Sequence, residues 1–159
     1  MPTAALIDFE AYASTRPIAD RDQILGVLMQ RGRFAMLDGI LHLEEGGKRV
    51  VGFKDIRADD WWTTDHIPGR PIFPGALMIE AAAQLCSYAF LMSSPEMQSK
   101  FIGFGGLDGT RFRGVVSPPS RMIFAAELRR LRSRMFTYYA QGFVNGDLVF
   151  ETEVIGVVV

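Results

Sequence analysis

The chain has 159 residues, 48% of them hydrophobic and 22% charged, with a formal charge of -1; this is enough for one domain with a sizeable core. That balance excludes a dedicated nucleic-acid binder, which carries a strong basic excess. The single cysteine, Cys86, excludes an intrachain disulfide, no Cys/His spacing suits zinc and no glycine-rich loop suits a nucleotide, so no cofactor is expected and any chemistry falls to side chains and backbone.

Residues 1–19 contain Pro2 and Pro17 as breakers and read as an N-terminal extension, packed on the surface or partly mobile, ahead of a single domain over residues 20–159. With no basic segment and apolar core of a signal peptide, the expected compartment is the cytoplasm. Asp20 is placed to cap a short helix reaching Gln30, with Ile24, Leu25, Val27 and Leu28 as its apolar face, and a turn at Arg31 and Gly32 ends it. Phe34 to Leu43 and Arg49 to Lys54 have strand-like content around the turn EEGGK, which predicts a hairpin. Asp59 to Thr64, with Trp61 and Trp62, reads as a loop.

That loop leads into the stretch DHIPGRPIFPGALMIEAAAQLCS, Asp65 to Ser87. From Gly75 to Met92 almost every residue is apolar or small, which predicts a helix of roughly 27 Å. Such a helix must be buried almost all round. Glu80 and Gln84 interrupt the run, no second span accompanies it, and a transmembrane reading is set aside. Ser93, Ser94 and Pro95 stop the helix. Thereafter the pattern is of strands: an irregular, glycine-containing one from Phe101 to Gly114, long ones from Arg121 to Leu131 and Met135 to Val144, a tight turn at Asn145 and Gly146, and a last strand from Leu148 to Val159. One dominant helix with five or six mostly antiparallel strands predicts an α+β hot-dog fold, a curved sheet wrapped around a central helix. A helix this apolar needs a second subunit to seal what one sheet leaves open, so at least a homodimer is expected.

Three features of the stretch bear on chemistry. Pro68, Pro71 and Pro74 fix their own backbone angles and Gly69 and Gly75 permit unusual ones, so His66 is presented on a stiff loop, either as a general base or as an ordinary loop histidine. Gly75 opens the helix, where unpartnered N–H groups and the helix dipole suit an oxyanion, or simply cap the helix. Glu80 and Gln84 share a helical face, as an acid with its hydrogen-bonding neighbour or as two polar groups satisfying each other in the core.

HIPGRPIFPGALMIEAAAQ resembles the signature of the FabZ-type beta-hydroxyacyl-acyl carrier protein dehydratases, carried by His66, Pro68, Gly69, Pro71, Pro74, Gly75, Glu80, Ala81, Ala83 and Gln84. The resemblance extends from about Ile24 through AMLDGI, EEGGKRVVGFKDI, GLDGTRFRGVVSPPSRM and FVNGDLVFE. It implies fatty acid biosynthesis and conversion of a 3-hydroxyacyl chain on acyl carrier protein to the trans-2-enoyl thioester. It also implies His66 taking a proton from C2, the Gly75 amide holding the thioester oxygen, Glu80 protonating the departing hydroxyl, and Pro74 and Gln84 contacting substrate. In the family the histidine and glutamate of one site come from opposite subunits, and a trimer of dimers is a further possibility. A hot-dog acyl thioesterase and a non-catalytic acyl-binding module are the rival readings. The sequence departs from the family where Asp65 replaces a glycine before the histidine and Ile67 a phenylalanine after it, and again at Pro119 and Ser120. Arg111 and Arg113, and the cluster Arg129, Arg130, Arg132 and Arg134, are candidates either for docking an acidic carrier or for an ordinary charged surface. His42 and Cys86 read as structural.

Overall fold

The computed structural model describes residues 3–159; Pro2, one of the two N-terminal breakers, lies outside them. The centre of the molecule is helix α4, Gly75–Leu91, with Pro74 as its N-cap and Met92 as its C-cap. Before it come α1 (Phe9–Tyr12), β1 (Ala19–Asp20), α2 (Arg21–Leu25), β2 (Gly39–Leu43), β3 (Arg49–Ile56) and α3 (Trp62–Asp65). After it the chain runs through β4 (Ile102–Phe112), β5 (Ser120–Arg132), β6 (Met135–Val144) and β7 (Asp147–Val158). Among the described residues these strands form one sheet of seven, in the order β1-β2-β3-β5-β6-β7-β4. Every pairing is antiparallel. This is the hot-dog fold.

Strand alternation divides the core in two. Val50 and Ile56 of β3, Met122, Phe124 and Ala126 of β5, and Phe136 and Tyr138 of β6 face α4 and bury Ala81, Ala82, Leu85 and Ala89 beneath them. The intervening residues Val51, Phe53, Ile123 and Ala125 form a second cluster on the opposite face, which Ile7 of the N-terminal segment covers. Buried Gln141 of β6 fastens that segment, accepting from the Leu6 N–H at 2.7 Å and donating to the Ala4 carbonyl at 2.9 Å.

Four expectations are corrected. The strand expected from Phe34 begins only at Gly39; residues Gly32–Phe34 form a 3-10 turn, because backbone groups there bond to a side chain of α4 instead of to a neighbouring strand. The helix capped by Asp20 stops at Leu25. Its Asp20–Gln23 capping box is present, and Gly26, a weak helix former, closes it. The segment Asp59 to Thr64 is not all loop, since α3 starts at Trp62. The sheet has seven strands where five or six were expected, partly because β1 is only two residues long and its pairing with Ile40 and Gly39 is non-local.

The hairpins follow their turn chemistry. Asn145 and Gly146 both have positive φ, 50° and 87°, as a two-residue loop between antiparallel strands requires. β4 lies at the edge of the sheet with two irregularities in its pairing to β7, and Phe101, Phe104 and Phe112 on or beside it are exposed.

Candidate active site

The loop between α3 and α4 is held at both ends. Trp62 is buried and packs edge-on against Phe73, ring centroids 5.3 Å apart, while the Phe73 N–H bonds the Val116 carbonyl at 2.8 Å. Between these anchors, Ile67 to Arg70 make a turn closed by the Arg70 N–H on the Ile67 carbonyl at 3.0 Å, with Pro68 second and Gly69 third at φ 81°. Proline then positive-φ glycine is the type II pattern. His66 sits at the C-cap of α3, its N–H on the Trp62 carbonyl at 2.9 Å.

The His66 ring is exposed and its Nδ1 lies 3.1 Å from the Ile72 carbonyl oxygen. A carbonyl only accepts, so Nδ1 carries the hydrogen, and in the neutral ring Nε2 keeps its lone pair for an outside proton. Asp65, beside it, is the last residue of α3. Among the described non-glycine residues only Asn145 has positive φ, so aspartate at position 65 meets no left-handed backbone requirement. Its carboxylate accepts from the Thr64 hydroxyl at 3.0 Å.

Helix α4 supplies the other groups. The Pro74 carbonyl accepts from the Leu77 and Met78 N–H groups at 3.0 and 3.1 Å, leaving the Gly75 and Ala76 amides as the helix's open N-terminal donors. A side chain at Gly75 would be crowded: a Cβ there would lie 2.7 Å from Cε1 of Phe112, whose ring is 53% exposed and also stacks on Phe150 at 5.6 Å. One turn on, half-buried Glu80 accepts at Oε1 from Nε2 of Gln84 at 2.8 Å. Gln84, 2% exposed, also donates to the Phe34 carbonyl and accepts from the Met36 N–H at 3.1 Å. Both ends of its amide are therefore committed.

Glu80 and Gln84 line a cavity of about 200 Å³ that continues along the helix past Ala83 and Ser87 and is walled by Phe104 and Phe136. His66 does not line this cavity, and no hydrogen bond or ion pair joins it to Glu80 within the protomer. Among the sequence-predicted residues, then, the structure joins Glu80 with Gln84 and Pro74 with Gly75, and leaves His66 apart from the acid. The reading from sequence missed Phe112 and the backbone of Phe34 and Met36. The close approach required at Gly75 is a signal for an aromatic neighbour, but nothing in the sequence identifies which one; the main-chain partners of Gln84 leave no signal at all.

The secondary candidates are mostly engaged. Arg113 pairs with Glu151 at 2.6 Å and Arg111 donates to the Thr110 carbonyl at 2.9 Å. Arg129 stands 3.6 Å from Glu127 and over the Tyr139 ring, and Arg134 donates to the Val158 carbonyl at 3.3 Å. Cys86 is fully buried, and burial pushes its thiol far up from the ordinary range. His42 lies 6.1 Å from Tyr12, centroid to centroid. Among the described residues no helix is long and apolar enough to cross a membrane and no group of three or more His, Cys, Asp or Glu is placed to hold a metal ion.

The family model of the FabA-like domain matches residues 28–153. A 3-hydroxyacyl-[acyl-carrier-protein] dehydratase FabZ of Moorella thermoacetica is 37% identical over 136 residues, covering 86% of this chain and 94% of that protein. The enzyme of the same name from Geobacillus thermodenitrificans is 36% identical over 134 residues, covering 84% and 91%. In fold, the chain is similar to the dehydratase heterocomplex ApeI:P from Xenorhabdus doucetiae, at TM-score 0.73 and 11% identity over 86% of this chain and 90% of that one. The TT0310 protein from Thermus thermophilus gives TM-score 0.60 and 19% identity over 80% and 98%. By the matched domain and by identity along nearly the whole length of these relatives, the chain belongs to the FabZ-type dehydratases of the FabA-like family.

Proposed function

We propose that the protein is a 3-hydroxyacyl-[acyl-carrier-protein] dehydratase of fatty acid biosynthesis, working on its substrate in the cytoplasm as a homodimer or an assembly of such dimers. The observation that carries the reading is the Nδ1 contact of His66 with the Ile72 carbonyl, which orients the ring and leaves Nε2 as the basic atom. Nε2 takes the proton from C2 of the acyl chain. The electron pair forms the C2–C3 double bond, the C3–O bond breaks, and Glu80 gives its proton to the hydroxyl, which leaves as water. Negative charge that builds on the thioester oxygen meets the Gly75 amide at the positive end of α4. Pro74 sets the entry angle of the chain into that helix and borders the thioester, and Gln84 holds Glu80 in place. The cavity beyond Glu80 receives the acyl chain.

The separation of His66 from the Glu80 cavity within one protomer supports a site shared between two subunits. The exposed Phe101 and Phe104 at the β4 edge support burial of that face in a homodimer. The test is hydration of a crotonyl thioester, with His66→Ala and Glu80→Gln alongside the unmodified protein. Each substitution is expected to slow turnover by about 10²- to 10⁴-fold. An unchanged rate in either would remove that residue from the mechanism.

A further inference from the structure

Bordered by Gly32, Arg33, Ala35 and Met36 is a second cleft, of about 410 Å³, lined by both tryptophans of the chain and by a set of charged groups. Most of those charges are already committed. Asp38 accepts from Arg21 at 3.2 Å and from the Asp55 N–H at 2.7 Å. Asp55 is held by Arg121 through two bonds of 2.7 and 3.2 Å. Arg57 is paired with Asp59 at 2.9 Å. The Asp60 carboxylate accepts the Arg57 N–H, at 2.9 Å, and no side chain pairs it among the described residues.

Three donors are left over. Lys54 belongs to the β3 register that faces α4, opposite the fully buried Met122. It is only 8% exposed, and no hydrogen bond or ion pair engages it among the described residues. The indole Nε1 of Trp62 is buried without a hydrogen-bond partner. Arg33 has no carboxylate; its guanidinium stands 5.7 Å from the centroid of the Trp61 ring. Two unpaired cations and an orphaned N–H thus share one cleft with one carboxylate that no side chain pairs, Asp60. An indole N–H removed from water is costly unless an acceptor completes it, and an unpaired ammonium on a nine-tenths buried side chain that lines a cleft is open to an anion.

We propose that this cleft binds a phosphoryl group. Two cations that no carboxylate pairs, on separate elements and beside the Trp62 indole, suit a multiply charged anion better than a single carboxylate. The Trp61 ring, 40% exposed, gives the rest of a phosphorylated small molecule an apolar wall. The phosphate can be free inorganic phosphate or the phosphomonoester of phosphopantetheine. The site stands on its own whether or not the dehydratase reading holds, because its test requires no substrate turnover.

Both tryptophans line the cleft, so intrinsic fluorescence reports on it directly. The full-length protein is titrated with inorganic phosphate at constant ionic strength, with potassium chloride and acetate as controls and phosphopantetheine in a parallel series. A saturable change with phosphate or phosphopantetheine that neither control reproduces is expected, and the tighter of the two identifies the source of the phosphate. Lys54→Met and Arg33→Gln are each expected to weaken binding by about 10-fold or more. If Lys54→Met does not fold, Arg33→Gln on its exposed turn carries the comparison. No saturable change, a change equal to that with acetate, or an unaltered midpoint in a folded variant would overturn the proposal.

Discussion

The most constrained residue in the candidate site is Gln84, whose amide is used at both ends. Replacing it with leucine of similar bulk strands the buried Met36 N–H, so Gln84→Leu is expected to cost about 1–3 kcal/mol in urea unfolding, with crotonyl-thioester turnover falling as Glu80 loses its anchor. Equal stability would show that the Phe34–Met36 turn does not depend on α4. A few residues further along the same helix, Cys86 makes a different statement. Burial raises its thiol above the unfolded value, so at pH above about 8.5 the unfolded chain releases a proton that the folded chain retains. The contribution of Cys86 is complete below that pH and is lost as pH climbs, and Cys86→Ala is expected to flatten the alkaline fall of an unfolding free energy measured from pH 7 to 10. In the native protein a thiol reagent at neutral pH is expected to leave Cys86 unmodified until denaturant is added. Residue types announced much of this: a lone cysteine on an apolar helix reads as packing, and a glutamate and a glutamine four apart read as a pair. The partners of the glutamine were hidden because they are main-chain atoms, which no side-chain pattern records.

At the scale of elements, what could be read from sequence was whatever local chemistry enforces. The stiff Pro-Gly loop after His66, the Asn145–Gly146 hairpin and the extent of α4 are all dictated by neighbours in the chain. Elements defined by distant partners were not legible: β1 exists only because it meets β2, and Phe34 looks like a strand residue although its backbone answers to Gln84. The junction between α4 and β4 is of this second kind. Because a Cβ at Gly75 would fall 2.7 Å from the Phe112 ring, Gly75→Ala and Phe112→Ala are expected to be non-additive, coupling by about 0.5–2 kcal/mol in a double-mutant cycle read from thermal or urea unfolding. Additive effects would mean that ring and glycine do not meet in solution.

For the whole molecule, the sequence foretold a sheet wrapped on one helix, but not which surfaces remain open in the protomer. On the proposed two-subunit site, His66→Ala and Glu80→Gln proteins, each nearly inactive, are expected to regain about a quarter of normal activity when unfolded together and refolded at equal amounts, since half the dimers are then mixed and each mixed dimer rebuilds one of its two sites. Failure of the mixture to recover would place both residues in the same protomer. The hydrogen-bond polarity of Gln84 carries one more consequence. Its carbonyl faces the Met36 N–H and its amino group faces the Phe34 carbonyl, so a flipped amide would set like against like at both. Main chain about 50 residues upstream therefore determines which end of the amide meets Glu80, and it leaves one carboxyl oxygen occupied at Oε1 and the other for the substrate. On the proposed mechanism Glu80 protonates the C3 hydroxyl from a single edge of that carboxyl while the oriented His66 Nε2 takes one of the two C2 hydrogens, and the elimination has one stereochemical course: a substrate deuterated at one prochiral position of C2 is expected to lose or keep its label completely, not as a mixture.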